Sequence, residues 1–256
     1  MTVPTIEEIQ HRLAHENLDE WLKLWAIEQG PAKQPALELM AAVIPAPAGE
    51  QPLRVLDLCC GPGDLGRTIH ARFPAAEIDA VDRDIFLSQL CAAANQRAGA
   101  RGQVLVRDLN TDRWREGLSG SYDVVGVANA MHWLRLERAR EVLADIRSLL
   151  KPGGLFVALE PVSTVDPIAA GFDAWKAKQP PQHQWQDWLN FWTRVNDFMG
   201  YDHIASLGRR DDPRIGDSLS AAGWLDLVRE AGFGPADVIW RDAEKAILVA
   251  CAPATL

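Results

Sequence analysis

Four apolar runs in this 256-residue chain stop at residues equipped to hold a polar ligand. Val55-Leu56-Asp57-Leu58 breaks into Cys59-Cys60-Gly61-Pro62-Gly63-Asp64-Leu65-Gly66, and Ile78-Asp79-Ala80-Val81 ends at Asp82. Gln103–Arg107 ends at Asp108-Leu109, and Tyr122–Val127 ends at Ala128-Asn129-Ala130-Met131-His132-Trp133. The chemistry follows from residue type. Carboxylates accept hydrogen bonds from hydroxyls. Gly61 and Gly63 let a ligand approach the main chain. An imidazole such as that of His132 can accept a proton from a reacting group.

These residues need a scaffold, and the runs themselves supply one. Each reads as a strand, and the Gly61-x-Gly63-x-x-Gly66 turn opens a helix from about Leu65 to Phe73 that Asp64 is placed to cap. Asp82 follows Gly63 by 19 residues, about where doubly wound nucleotide folds place the carboxylate that accepts ribose hydroxyls. In an open parallel sheet, ligands bind beyond the carboxyl ends of the strands. Asp57, Asp82, Asp108 and Asn129 are therefore expected to converge on one cleft.

The motifs together resemble the class I S-adenosylmethionine-dependent methyltransferases from about Leu53 to the C-terminus. Val55–Gly63 is similar to the family's first motif, Asp82 to its ribose-binding acid, and Asp108-Leu109 to the pair flanking adenine. Lys151-Pro152-Gly153-Gly154 before Leu155–Ala158 is similar to the turn into its fifth strand. The resemblance implies S-adenosyl-L-methionine as cofactor, held by Asp57, Cys59, Gly61, Gly63, Asp82, Arg83, Asp108, Leu109, Asn129 and Trp133. Cys59 departs from the family, which has glycine there, so altered packing or a slightly shifted methionine moiety is expected. The loop Ala128–Leu134 is similar to that of trans-aconitate and malonyl-carrier methyltransferases, which esterify carboxylates.

The end of the chain favours this reading over a nicotinamide fold. Trp224–Phe233 reads as an amphipathic helix, followed by strands Ala236–Trp240 and Ala246–Cys251. Their connection is too short for a parallel crossover, so the last strand is expected to run antiparallel. The expected fold is α/β: a doubly wound, mostly parallel seven-stranded Rossmann-like sheet with an antiparallel last strand, a helical N-terminal cap and a helical lid insertion. Residues 1–52 form the cap, which reads as two helices carrying Trp21, Trp25, Leu37 and Met40. Residues 53–160 form the cofactor-binding core, 161–216 the aromatic-rich lid, and 217–256 a C-terminal helix and hairpin that complete the core.

The lid is the irregular part. Insertions of this length are usually functional, and four of the ten tryptophans fall within Phe172–Tyr201. Trp185, Trp188, Trp192, Val195 and Met199 recur at helical spacing. Such a stripe is first a packing face, and one end of it is also placed to roof a substrate pocket. If the acceptor is a carboxylate it needs a cation, and Arg194, Arg209, Arg210 and Arg214 follow the stripe. Trp185, Trp188, Trp192 and Arg194 are thus the candidate substrate residues. His132 is the candidate catalytic base, its alternative being a hydrogen bond within its own loop.

Composition bounds the partners. A net charge of −9 and the absence of a basic cluster argue against nucleic acid. No signal sequence or membrane span is apparent, which points to a cytoplasmic protein. Cys59, Cys60, Cys91 and Cys251 lack metal-site spacing, so no metal is expected. The expected partner is a small-molecule acceptor, with O-methylation slightly favoured and the oligomeric state unknown. Two alternatives stay open: use of the cofactor for self-cyclisation that releases methylthioadenosine, and a cofactor-binding protein without turnover.

Overall fold

The computed structural model describes residues 3–46, 51–164, 166–178, 185–207, 219–242 and 244–254. Three helices lead: α1 (Ile6–Leu13), α2 (Leu18–Gln29) and α3 (Lys33–Ala42). Then follow β1 (Arg54–Leu58), α4 (Asp64–Arg72), β2 (Glu77–Asp82), α5 (Ile85–Ala98), β3 (Val104–Val106) and β4 (Tyr122–Ala128). A single 3-10 turn at Met131–Trp133 precedes α6 (Leu136–Leu149) and β5 (Leu150–Pro161). The chain continues through α7 (Asp166–Lys176), α8 (Trp185–Met199), α9 (His203–Ser206), α10 (Ala221–Glu230), β6 (Ala236–Arg241) and β7 (Lys245–Cys251).

The strands form one sheet in the order β3-β2-β1-β4-β5-β7-β6. β1 to β5 are parallel, and β7 runs antiparallel to both its neighbours, β5 and β6. From β1 the chain builds outward to β3 and then returns to place β4 on the other side of β1. The strand order therefore reverses between β1 and β4, and the crevice for a ligand lies beyond their carboxyl ends. The sheet is thus the expected one, seven-stranded and mostly parallel, with the antiparallel last strand at β7.

Both faces of the sheet are covered, which is why its central strands read as continuous apolar runs rather than alternating ones. On one face α6 and α10 bury Val142, Leu143, Ile146, Trp224 and Leu227 against Leu56, Val125 and Phe156. On the other, Leu37 and Met40 of α3 and Leu65 and Ile69 of α4 pack against Val55, Val124, Val157 and Ile247. A third cluster lies outside the sheet, where α1, α2, α5 and α8 bury Ile9, Trp21, Phe86, Phe191 and Val195 together.

The helical cap has three helices, not the two expected. α1 is short but carries a complete capping box, in which Thr5 accepts from the Glu8 N–H and Glu8 reaches back to the Thr5 N–H. The seam of α8 also differs from expectation. The helix buries Phe191, Val195 and Met199, whereas Trp185 is 64% exposed and stacks on Trp188 at 4.6 Å. Burial on α8 is decided by contact with α2, a neighbour nearly 170 residues earlier in the chain that periodicity alone does not reveal. Among the described residues no helix is long and apolar enough to cross a membrane.

Candidate functional site

The turn after β1 is built by backbone conformation. Cys59, Gly61 and Gly63 all have left-handed φ, at 51°, 53° and 85°. At Gly63 a Cβ would lie 2.6 Å from the Cys91 Sγ, so both the dihedral and the sulfur demand glycine. At Gly61 a Cβ would come within 3.2 Å of the Trp25 ring, which lies over the turn. α4 begins one residue earlier than expected, with Gly63 at its N-cap and no side-chain cap. Asp64 instead occupies the first turn, where its charge suits the helix dipole. It accepts from Trp25 Nε1 at 2.6 Å and pairs with Lys33 at 3.1 Å and with Arg67.

Carboxylates surround this turn. Asp82 is buried, and its two oxygens accept from the N–H groups of Gly61 and Asp84, each at 2.8 Å. A carboxylate offers about four acceptor positions, so two remain for a ligand. Asp57, 1% exposed, accepts from the Gly66 N–H at 2.9 Å and fixes the turn from beneath. Burial raises Asp57 to about 7 and Asp82 to about 6, against the ordinary value near 3.8. Cys59 stands among these groups. Burial, and then the charges of Asp82, Glu160, Asp57 and Asp108, push its thiol well above the usual range and keep it neutral. Carboxylates gathered about a neutral thiol are electrostatically matched to a cation.

The remaining predicted residues divide. Asn129 follows β4 at a left-handed φ of 57°, and its Oδ1 is buried without a hydrogen-bond partner. Asp108 follows β3 and organises its own turn by accepting from the Asn110 backbone and side-chain N–H groups. Leu109 is buried in the main core and Arg83 is exposed. Trp133 is half exposed, its ring 5.1 Å from that of His132.

His132 is held by a residue that the motifs did not single out. Glu160, at the carboxyl end of β5 and 0% exposed, accepts from the N–H groups of Ala130 and Met131 through one oxygen. Its other oxygen lies 2.9 Å from His132 Nδ1. A carboxylate only accepts, so in the neutral ring this contact places the hydrogen on Nδ1 and the lone pair on Nε2. A signal for Glu160 was present in the sequence: Val157-Ala158-Leu159-Glu160 repeats the apolar run ending in an acid that marks Asp82.

The candidate substrate residues are not brought to this corner by any described contact. Arg194 pairs with Glu20 at 3.2 Å and Glu16 at 3.4 Å and lies 4.5 Å over the Trp21 ring, fastening α8 to α2. Trp192 stacks near His203, whose Nε2 lies 3.0 Å from Asp84 Oδ1, so α9 is tied to the N-terminus of α5. Arg209, Arg210 and Arg214 lie outside the described residues. A cavity of about 410 Å³ does open beside this corner, lined by Pro161, Val162, Ala169, Phe172, Glu244 and Lys245 among others.

Comparison with known proteins bears on the family and the fold. Residues 55–154 match the family described as Methyltransferase domain. The chain is 35% identical over 111 residues to a malonyl-[acyl-carrier protein] O-methyltransferase of Halalkalibacterium halodurans, an alignment covering 43% of this chain and 40% of that protein. Among solved structures, an O-methyltransferase family protein from Burkholderia thailandensis superposes with a TM-score of 0.58 at 18% identity, over 87% of this chain and 57% of that one. The CurJ carbon methyltransferase superposes with a TM-score of 0.56, also at 18% identity, over 87% and 54%. The chain spans less than half the length of the curated relatives it matches.

Proposed function

We propose, from the premise that this chain belongs to the class I methyltransferases and carries their methyltransferase domain at residues 55–154, that it methylates a small molecule using S-adenosyl-L-methionine. We infer further that the acceptor atom is an oxygen. The observation that carries this second step is the His132–Glu160 pair at the carboxyl ends of β4 and β5.

The residues present fit the cofactor. The glycine turn leaves the main chain open, Asp82 retains two acceptor positions for ribose hydroxyls, and the buried Asn129 Oδ1 lacks a donor. The carboxylates of Asp57, Asp82, Asp108 and Glu160 favour a positively charged ligand. When bound, the cofactor would supply an electrophilic methyl carbon on a sulfonium whose sulfur would keep the carbon–sulfur electron pair when an acceptor oxygen takes the methyl.

The chain's part is then to align and deprotonate. Positioning contributes about 7–11 kcal/mol in favourable cases. A neutral hydroxyl must lose its proton as it attacks, and the Nε2 lone pair of His132 is the group that takes it. Glu160 orients the ring and stabilises the imidazolium that results, the role of a carboxylate behind a histidine base. A carboxylate acceptor would need no such base, so the dyad favours a hydroxyl.

The test uses protein stripped of bound ligand. Calorimetric titration with S-adenosylmethionine, S-adenosylhomocysteine and NADH is expected to show binding of both adenosyl ligands and none of NADH. Mass spectrometry after incubation with hydroxylated small molecules should find one heavier by a methyl group. Failure to bind either adenosyl ligand would overturn the reading. Release of methylthioadenosine with no methylated product would replace methyl transfer with self-cyclisation.

A further inference from the structure

Lys245 opens β7 directly opposite Pro161 in the β5–β7 register, one residue beyond the glutamate that holds His132. Its side chain lines the 410 Å³ cavity together with Pro161 and Val162 of the β5 end and Ala169 and Phe172 of α7. That volume lies within the range of small-molecule sites. Four of the lining residues are apolar and three, Thr164, Glu244 and Lys245, are polar, so a few polar groups are placed to fix a ligand's orientation.

Several cations are committed to carboxylates. Lys33 is paired with Asp64, Arg138 with Asp112 and Glu141, Lys151 with Asp123, and Arg194 with Glu16 and Glu20. Among the described residues, Lys245 Nζ has no carboxylate within ion-pair distance, although its side chain is partly withdrawn from water. Burial, and then the charge of Lys33, lower its pKa below the ordinary lysine value, against the opposing pull of Asp242, Glu244 and Glu160, none of them in direct contact with Nζ. A partly buried charge without a partner costs free energy until an anion meets it.

We propose that this cavity is the acceptor pocket and that it takes a monocarboxylate with an apolar body, the carboxylate on Lys245 and the apolar part against Phe172. The inference rests on the methyltransferase reading and names the substrate class for that site. One negative charge is specified because the lining holds, among the described residues, a single lysine, which balances one carboxylate and not a dianion such as a phosphate monoester. The carboxylate anchors the molecule at the β7 side, and a hydroxyl elsewhere on it is left to face His132. The cation expected on the lid at Arg194 is thereby supplied from the sheet.

The experiment measures equilibrium binding of hydroxyaryl alkanoates with side chains of two to five carbons to the full chain saturated with S-adenosylhomocysteine. Each acid is paired with its neutral amide and with the matching alkyl phosphate. At least one acid should bind more tightly than both its amide and its phosphate. Lys245→Met should weaken that acid about tenfold, the loss expected of one charge-assisted hydrogen bond, and leave the amide unmoved. Lys245→Arg should retain most of the affinity, which separates loss of the anchor from loss of the fold. Three results would overturn the inference: no acid binding, equal binding of acids and amides, or acid affinity unchanged in Lys245→Met. Tighter binding of the phosphates would reject the monocarboxylate. A separate titration of S-adenosylhomocysteine into each protein stripped of ligand keeps the two readings apart. If it binds while Lys245 proves inert, the pocket assignment falls alone; if it fails to bind, the methyltransferase reading falls first.

Discussion

The two sides of the cleft are built by different means. The β1–β2 side is made by backbone: left-handed residues at Cys59, Gly61 and Gly63, and carboxylates locked by main-chain N–H groups. The β5–β7 side is made by side chains brought together over distance, with Glu160 holding His132 and Lys245 placed by strand pairing beside Pro161. A backbone-built site accepts few substitutions but is specified by short stretches of sequence. A side-chain-built site is the part that can vary in acceptor while the first stays constant. The proposed roles follow this division, with the cofactor on the first side and base and acceptor on the second.

The sharpest test of the second side is removal of the base. His132→Asn should lower kcat for a hydroxyl acceptor by about 10²–10⁴, the usual contribution of a positioned general base. Affinity for S-adenosylhomocysteine should stay close to wild type, because the loss belongs to one side of the cleft only. Glu160→Gln should also lower kcat and distort the loop, since its oxygens hold the backbone of residues 130–132 as well as the imidazole. If kcat survives in both variants, the His132–Glu160 pair is structural, and a carboxylate acceptor becomes the better reading.

On the first side the corresponding change is Gly63→Ala. A left-handed conformation costs a non-glycine residue about 1–2 kcal/mol, and overpacking against Cys91 Sγ adds about 1–3 kcal/mol. Denaturant unfolding should show the combined loss, together with weakened S-adenosylhomocysteine binding. Adding Cys91→Ala should recover the steric part and leave the dihedral part. Additivity of the two substitutions would mean that the sulfur and the turn are independent, and the contact argument would be wrong.

The same contrast explains what could be read from the chain in advance. The sheet and its reversed strand were legible because each strand is an apolar run with an acid or a tight turn at its end, and because the short connection before Lys245 excludes a parallel crossover. Asp57, Gly61, Gly63, Asp82 and Asn129 were legible for the same reason. The lid was not. Nothing local distinguishes Phe191, which is buried, from Trp188, which is not, since the choice depends on where α2 comes to rest. Lys245 was invisible because a lysine at a strand start reads as solvent-facing until its partner strand and α7 close around it. Arg194 misled for the opposite reason: its guanidinium was needed by Glu16 and Glu20 of the cap.

Acid titration probes the β1–β2 side without mutation. Asp57 and Asp82 keep their protons to higher pH when folded, at about 7 and about 6, than in the unfolded chain near 3.8. The folded state therefore binds more protons across this window, and stability should fall as pH rises from about 4 to about 7. Asp57→Asn should flatten much of that slope. Ligand binding should run the other way, because hydroxyl donors favour the ionised carboxylate. Affinity for S-adenosylhomocysteine should rise as pH passes about 6, and Asp82→Asn should abolish the rise. An affinity independent of pH between 5 and 8 would remove Asp82 from the cofactor contacts.

The smallest effect is expected where the chain departs from the motif it resembles, and it asks how completely backbone governs the β1–β2 side. Cys59 holds a left-handed φ of 51° while its thiol packs against the main core. Cys59→Gly relieves about 1–2 kcal/mol of dihedral cost. It also frees the unfolded chain by about 0.4–1 kcal/mol and gives up the buried sulfur, so the terms oppose one another and the net change in stability should stay within about 1 kcal/mol. Cys59→Val is the informative partner, because a β-branched residue at this dihedral is a true outlier while its apolar burial is at least as large. If backbone governs, valine should destabilise by about 2 kcal/mol or more relative to glycine, and S-adenosylhomocysteine affinity should follow the same order. If valine proves as stable as cysteine, packing governs there instead, and the contrast between the two sides of the cleft would have to be redrawn at its first residue.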